Sequence, residues 1–245
     1  IEAGFAEEVA EGAGTVIRFK WPQPPPELDV VYFNTGKRKE QRSFKAAEEP
    51  SAFEPFVLIK SDGFPTYNFA HVIDDHQLGV THVIRGAEFI PSLNKYVMLH
   101  RALDWQVPTY VHVPAILGPD KSKLSKRHGA KDVLEYRADG YLPEALANFV
   151  ALIGWSPGND RELFFGRDEL VEAFSLEGLQ KSPGVFNEQK LQWMNGEHLK
   201  QLDTGALLAE AQAGGFWEDV PAPLDERVVQ IESERLQTLG DLKEL

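Results

Sequence analysis

The chain contains no cysteine among its 245 residues. Disulfide bonds and thiolate metal sites are therefore excluded, and this composition suits the cytosol. No apolar run approaches the roughly 18 residues that a membrane-spanning helix needs. The first residues are acidic and lack the basic and then apolar order of a secretory signal. We therefore expect a cytoplasmic protein that binds no membrane.

Two common phosphate-binding motifs are also missing. The chain has neither a Gly-x4-Gly-Lys-Ser/Thr loop nor a Gly-x-Gly-x-x-Gly segment after a strand. Its seven histidines are scattered without zinc-motif spacing, so we expect no zinc site. Any phosphate group would have to be bound by lysine side chains.

What the chain does contain is a basic segment within an acidic whole. The formal net charge is −13, from 25 Lys and Arg against 38 Asp and Glu. Five basic residues nevertheless fall within eleven positions: Lys121, Lys123, Lys126, Arg127 and Lys131. Because clustered like charges repel one another, this segment indicates contact with a triphosphate or a nucleic acid, and the alternative is a solvated surface loop. The acidic whole argues against non-specific DNA binding.

Strand and helix patterns alternate through the middle of the chain. The predicted elements are strands at 56–59, 81–85 and 110–113 and helices at 65–78 and 89–103. Strands joined by helices predict right-handed crossovers and a parallel sheet. Ligands of such sheets bind beyond the carboxyl ends of the strands, where Arg85 and the segment after Val113 fall.

The two ends of the chain differ from this middle part. Residues 15–20 and 30–33 have strand patterns. Beyond Lys131 the patterns are helical. The helices predicted there lie at 143–153, 167–174, 187–199, 203–213 and 224–239.

An ordered series of segments resembles bacterial-type glutamyl-tRNA synthetase, a class I aminoacyl-tRNA synthetase. The segments are Lys60–Ala70, Val72–Asp75, Gly79–Gly86, Lys123–Gly129, Gly140–Leu146 and Gly154–Pro157. The resemblance covers nearly the whole chain from Thr15 and is dense between 56 and 200. Such an ordered series is specific, whereas the Lys-x-Ser-Lys pattern alone is weak.

The resemblance implies an α/β fold. This would be the second half of a Rossmann-like class I synthetase nucleotide-binding fold, then an α-helical stem-contact region and the start of a helical anticodon-binding domain. Residues 1–55 would be the remainder of an acceptor-stem-binding insertion, and 56–120 the second half of the catalytic domain. Residues 121–200 would hold the stem-contact helices and the lysine loop, by which we mean the segment Lys123–Arg127. Residues 201–245 would begin the anticodon-binding domain.

The resemblance also implies roles for individual residues. Tyr67 and His71 would line the glutamate pocket, although the residue at 71 varies in the family. Arg85 would hold the substrate amino acid, because a guanidinium group can bind a carboxylate through two hydrogen bonds. Glu88 would lie near the ATP ribose and the amino acid, and Ile116 would offer backbone contacts to adenine.

The lysine loop would close over the triphosphate of ATP. Its ATP-binding residues would be Lys123, Leu124, Ser125, Lys126 and Arg127, with Lys123 and Lys126 catalytic and Lys126 nearest the chemistry. The glutamate carboxylate would attack the α-phosphorus of ATP, with Mg²⁺ on the phosphates, and the glutamyl group would pass to the terminal ribose of tRNA(Glu). Such catalysis is mainly positioning and charge stabilisation. We expect a monomer whose partners are ATP, L-glutamate and tRNA(Glu), without DNA.

The chain departs from the family's pattern at three places. It contains no tetrad like His-Ile-Gly-His, the family's first signature. Ala87 stands where an acidic residue is usual, and Phe89 where His or Trp is common. We therefore expect the central part of a longer ligase, nearly inactive alone because half of the ATP site is absent. The alternatives are a non-catalytic synthetase-like module that binds tRNA or protein, and a related ligase that uses glutamine or modifies a tRNA base.

Overall fold

Strand segments build two sheets in the first part of the chain, and helices dominate the second part. The computed structural model describes residues 4–12, 14–34, 39–125, 131–216 and 233–244. Contacts divide the chain into unit 1 (Ile1–Val113) and unit 2 (Pro114–Leu245). None of the helices in these described ranges is both long and apolar enough to cross a membrane. The four domain ranges implied by the resemblance stay a prediction.

Unit 1 contains one antiparallel sheet and one mixed sheet. The strands are β1 (Ala6–Glu11), β2 (Gly14–Phe19), β3 (Leu28–Asn34), β4 (Lys39–Phe44), β5 (Phe56–Ile59), β6 (His82–Gly86) and β7 (Thr109–Val113). The antiparallel sheet has the order β1-β2-β5, and the mixed sheet has the order β4-β3-β7-β6. Strand β7 pairs in parallel with both β3 and β6, which places the carboxyl ends of these three strands at one edge.

Two helices of unit 1 follow the predicted pattern. Helix α1 (Tyr67–Gln77) stops before Gly79, whose φ of +67° suits a residue without a side chain at a helix end. Helix α2 (Leu93–Ala102) begins later than predicted, because a 3₁₀ helix at Ala87–Ser92 precedes it and contains Pro91. Proline lacks the N–H that an α-helix interior requires, so the regular helix starts after it.

The expected place of the strand at 56–59 was wrong. Strand β5 pairs antiparallel with β2 and does not join the parallel strands, with Phe56 opposite Phe19. The two rings stack with their centroids 5.2 Å apart, and both side chains are buried. Burial of two aromatic rings favours this pairing, and periodicity within one segment cannot reveal it.

The described α-helices of unit 2 are α3 (Val133–Ala138), α4 (Pro143–Gly154), α5 (Arg167–Ala173), α6 (Glu188–Leu199) and α7 (Thr204–Ala213). Helices α4 to α7 match predicted helices, α3 was not predicted, and the last predicted helix needs a correction. The side chains of Asn187 and Asp203 accept backbone hydrogen bonds and so begin α6 and α7. Of the helix predicted at 224–239, residues 224–232 lie outside the described ranges. Residues 233–238 form turns before a 3₁₀ helix at Leu239–Glu244.

Buried amide side chains join the helices of unit 2. Asn195 on α6 accepts a hydrogen bond from the Leu142 N–H at 2.8 Å and donates one to the Gln237 carbonyl at 2.5 Å. Asn148 on α4 accepts from the Phe164 N–H at 2.9 Å. The bonds from the Leu142 and Phe164 N–H groups satisfy backbone donors that would otherwise be buried without partners.

Candidate active site

Arg85 lies at the carboxyl end of β6, where the sequence places a ligand site. In the parallel pairing of β6 with β7, Arg85 is in register with His112. Paired residues in adjacent strands direct their side chains to the same face of a sheet. The Nε–H of Arg85 accordingly donates a long hydrogen bond of 3.5 Å to Nε2 of His112.

Aromatic rings surround the guanidinium group of Arg85. Its central carbon lies 4.4 Å from the ring of Tyr96, 4.8 Å from Tyr110 and 5.0 Å from Phe89. Each such contact is worth about 0.5–2 kcal/mol, but a ring face does not replace a hydrogen-bond acceptor. The nitrogens Nη1 and Nη2 are buried without a hydrogen-bond partner among the described residues. This arrangement suits an anionic ligand that accepts from both nitrogens.

Helix α1 brings Tyr67 and His71 to the same group of aromatic side chains. Tyr67 is 59% exposed, and its ring centroid lies 5.1 Å from that of His71 and 5.9 Å from that of Phe89. The His71 ring packs edge-on against Tyr96 at 4.5 Å. The structure therefore brings Tyr67, His71 and Arg85, the three predicted glutamate-binding residues, into one cluster.

His71 is also tied to its own helix. Its Nδ1 lies 3.2 Å from a carboxylate oxygen of Asp75, four residues later. Burial lowers the pKa of His71, and the hydrogen bond to Asp75 opposes that shift. The imidazole is therefore neutral near pH 7 and can both donate and accept hydrogen bonds.

Sequence reasoning missed three residues of this cluster: Tyr96, Tyr110 and His112. Tyr96 is helix core by pattern, and the other two belong to an ordinary buried strand. His112 is fully buried. Burial and the Arg85 charge lower the pKa of His112 to about 4, so it is neutral near pH 7. The available signal was the alternation along β7, which puts Tyr110 and His112 on one face of the strand.

Glu88 lies in the 3₁₀ helix after β6. Its side chain is exposed, and its carboxylate folds over the backbone of Gly86. A side-chain carbon at Gly86 would overlap this carboxylate. The glycine thus leaves room for the acid close to the strand end that carries Arg85.

In unit 2, backbone hydrogen bonds fix the start of the lysine loop. The Ile116 carbonyl accepts from the Leu124 N–H at 2.9 Å, and Leu117 forms a bridge with Lys123. The Leu117 N–H donates to the Gly184 carbonyl at 2.9 Å. Ile116 and Lys123 are thereby held on one short hairpin, and Lys123 is exposed.

The remaining basic residues of the segment differ from one another. Lys126 and Arg127 lie outside the described residues. The ammonium group of Lys131 is 2.9 Å from Asp139 and 3.3 Å from Glu188, and both carboxylates raise the pKa of Lys131. The charge of Lys131 is therefore offset within unit 2, although the sequence pattern counts it with the lysine loop.

Comparison with known proteins decides the family. A family model described as "tRNA synthetases class I (E and Q), catalytic domain" matches residues 3–193. The chain belongs to this family. The synthetase fold predicted from the sequence is confirmed, since a class I catalytic domain accounts for the mixed α/β content.

Two relatives of this synthetase chain are named glutamate–tRNA ligase. This chain is 45% identical over 198 residues to the glutamate–tRNA ligase of Dehalococcoides mccartyi strain BAV1, and the match covers 81% of this chain and 39% of the relative. It is 50% identical over 196 residues to that of Clostridium kluyveri, covering 80% of this chain and 39% of the relative. The chain thus spans about two-fifths of the length of the curated relatives it matches.

A solved structure agrees with this assignment. The crystal structure of a glutamate tRNA ligase from Elizabethkingia meningosepticum, in complex with its amino acid, superposes with a TM-score of 0.77 at 31% identity. The match covers 94% of this chain and 48% of that chain. The resemblance to glutamyl-tRNA synthetase found in the sequence is therefore confirmed.

Proposed function

We propose that this synthetase chain acts in a glutamate–tRNA ligase. In this function L-glutamate and ATP form glutamyl-adenylate, and the glutamyl group passes to the 3′ end of tRNA(Glu). Arg85 binds a carboxylate of glutamate, with Tyr67 and His71 beside it. The relatives' names support the substrate, and the family supports the use of ATP.

The state of the Arg85 guanidinium carries the proposal. A buried charge with unmet hydrogen-bond donors is costly, and the surrounding rings offset only part of that cost. A carboxylate that accepts from Nη1 and Nη2 makes two charge-assisted hydrogen bonds, each worth about 1.5–3 kcal/mol. Glutamate, with two carboxylates, fits such a partner.

The lysine loop supplies the charge that the reaction needs. When a carboxylate oxygen of glutamate attacks the α-phosphorus of ATP, a new O–P bond forms. The bond to the bridging oxygen breaks, and pyrophosphate leaves with additional negative charge. We assign stabilisation of that charge to Lys123 and Lys126, adenine contacts to Ile116, and the ribose side to Glu88. Leu124, Ser125 and Arg127 complete the loop over the Mg²⁺-bound triphosphate.

In the second step of the reaction, the glutamyl group is transferred to tRNA. A ribose hydroxyl at the tRNA 3′ end attacks the glutamyl carbonyl, an ester bond forms, and AMP leaves. Positioning of the two substrates accounts for most of the rate in such a step. We further propose that the protein works as a cytoplasmic monomer, which gel filtration and cell fractionation can test.

Glutamate-dependent ATP–pyrophosphate exchange, measured with tRNA present on the full-length product of the gene, tests this function. Replacing Arg85 by lysine keeps the charge but removes the paired donors, so we expect the KM for glutamate to rise about 10–150-fold, the equivalent of 1.5–3 kcal/mol. Arg101, an exposed arginine on α2, provides the matched control. Arg101→Lys should leave the KM for glutamate and the KM for ATP unchanged.

Two results would contradict the proposal. The first is no exchange with glutamate in the encoded protein. The second is an unchanged KM for glutamate in Arg85→Lys. Exchange that depends on glutamine instead of glutamate would replace the substrate and keep the ligase chemistry.

A further inference from the structure

His112 stands out as a buried polar side chain whose ring touches the proposed glutamate-binding arginine. Unit 1 buries His112 together with two other polar side chains, Asn94 and His100. The β6–β7 register sets His112 beside Arg85, so the contact follows from strand pairing and not from a flexible loop. The inference below rests on the function proposed above.

The direction of its hydrogen bond with Arg85 fixes the chemical state of His112. The Arg85 Nε–H can only donate, so Nε2 of His112 must carry the lone pair. The histidine proton then sits on Nδ1. A neutral ring is required, since an imidazolium would place a second positive charge against the guanidinium.

The contacts of Arg85 leave one edge of its guanidinium for a ligand. The rings of Tyr96 and Tyr110 lie 4.4 and 4.8 Å from its central carbon. The Nε–H is committed to His112. What is left is the edge formed by Nη1 and Nη2, which are buried and have no acceptor within the described ranges.

We propose that His112 is a positioning residue that holds Arg85 by its Nε–H and presents the Nη1–Nη2 edge to the carboxylate of the amino acid. The carboxylate then binds end-on, with one oxygen on each terminal nitrogen. Side-on binding, which uses Nε and one terminal nitrogen, is prevented because Nε is occupied. Loss of the acceptor frees the guanidinium to rotate among the rings.

Two substitutions at His112 separate positioning from packing. Leucine fills the space without an acceptor, whereas glutamine offers an amide oxygen to the Arg85 Nε–H. We expect His112→Leu to raise the KM for glutamate about tenfold, as loss of one hydrogen bond to a charged group predicts, and to leave the KM for ATP within about twofold. In His112→Gln we expect the KM for glutamate within about threefold of the unsubstituted value. His82→Gln, at an exposed position on β6, is the matched control and should change neither constant.

The Arg85 Nε–H itself gives a direct readout in the ¹⁵N-labelled protein. In the unsubstituted protein and in His112→Gln, we expect its resonance to be protected from exchange with water, with and without glutamate. Added glutamate should shift the Nη resonances and leave the Nε resonance in place. This measurement decides the question even if His112→Leu fails to fold.

The outcomes distinguish this inference from the function on which it rests. If the unsubstituted protein shows no glutamate-dependent exchange, the proposed function fails, and this inference fails with it. If the unsubstituted protein is active and His112→Leu has the same KM for glutamate, the positioning role alone is overturned. A large shift of the Nε resonance on adding glutamate also overturns it, since that indicates side-on binding.

Discussion

Asn195 should be among the most sensitive positions of unit 2, because its amide side chain joins three segments. It is fully buried on α6, accepts from the N–H of Leu142 at the start of α4, and donates to the carbonyl of Gln237. Asn195→Ala leaves both backbone groups without this partner. Each buried unsatisfied group costs about 1–3 kcal/mol. Since Gln237 is exposed and water can reach it, we expect a total loss of about 2–4 kcal/mol in the free energy of unfolding.

Urea unfolding, followed by far-ultraviolet circular dichroism and by tryptophan fluorescence, measures this loss. Trp155 and Trp193 in unit 2 contribute to the fluorescence change, together with Trp21 and Trp105 in unit 1. Asn159→Ala is the matched control, because Asn159 is exposed and caps only a turn through the Arg161 N–H. We expect the control to stay within about 0.5 kcal/mol of the parent. Unfolding of Asn195→Ala at the same urea concentration and with the same slope as the control would refute this role of Asn195.

Two further predictions concern the lysine loop and the buried histidine. A side-chain carbon at Gly184 would overlap the Ile153 carbonyl on α4, so Gly184→Ala should cost about 1–3 kcal/mol by overpacking. It should also raise the KM for ATP, because Gly184 anchors Leu117 beside Lys123. Gly154→Ala, with open space at its Cβ, is its control, and equal stability of the two variants would contradict the prediction. The low pKa of His112, about 4, means that the unfolded chain takes up a proton as pH falls below about 6.5 while the folded chain does not. Stability should therefore fall between pH 7.5 and 5, by roughly 2 kcal/mol from this group. His112→Gln should lose less stability over this pH range, because it lacks the contribution of the histidine. The same pH dependence of urea unfolding in both proteins would contradict this prediction.

Local signals predicted most of the described α-helices and the place of Arg85. The side chains of Asn187 and Asp203 cap the starts of helices, and Gly79 ends one. Adjacent residues therefore determine these helix boundaries. Arg85 follows an apolar run and precedes a glycine, which is enough to place it at a strand end. The synthetase family followed from an ordered series of such segments.

Long-range contacts account for what the sequence did not predict. The pairing of β5 with β2 depends on Phe19 and Phe56, which are far apart in the chain. The role of His112 depends on its register with Arg85 in another strand. Lys131 is paired with Glu188, 57 residues away, so its charge cannot be judged from its neighbours. Local periodicity shows which face a residue occupies and does not identify what lies opposite.

The position of β7 between β3 and β6 has a consequence for the order of folding. Phe33 in β3 pairs with Val111 in β7, a separation of 111 − 33 = 78 residues. Closing so long a loop costs chain entropy before any contact is gained, and non-local strand pairing of this kind slows folding. Helices α1 and α2 can form from neighbouring residues alone, whereas β7, the partner of the strand that carries Arg85, gains its second neighbour only after this closure. The mixed sheet that carries Arg85 on its edge strand is therefore completed by a late, non-local event in the folding of unit 1.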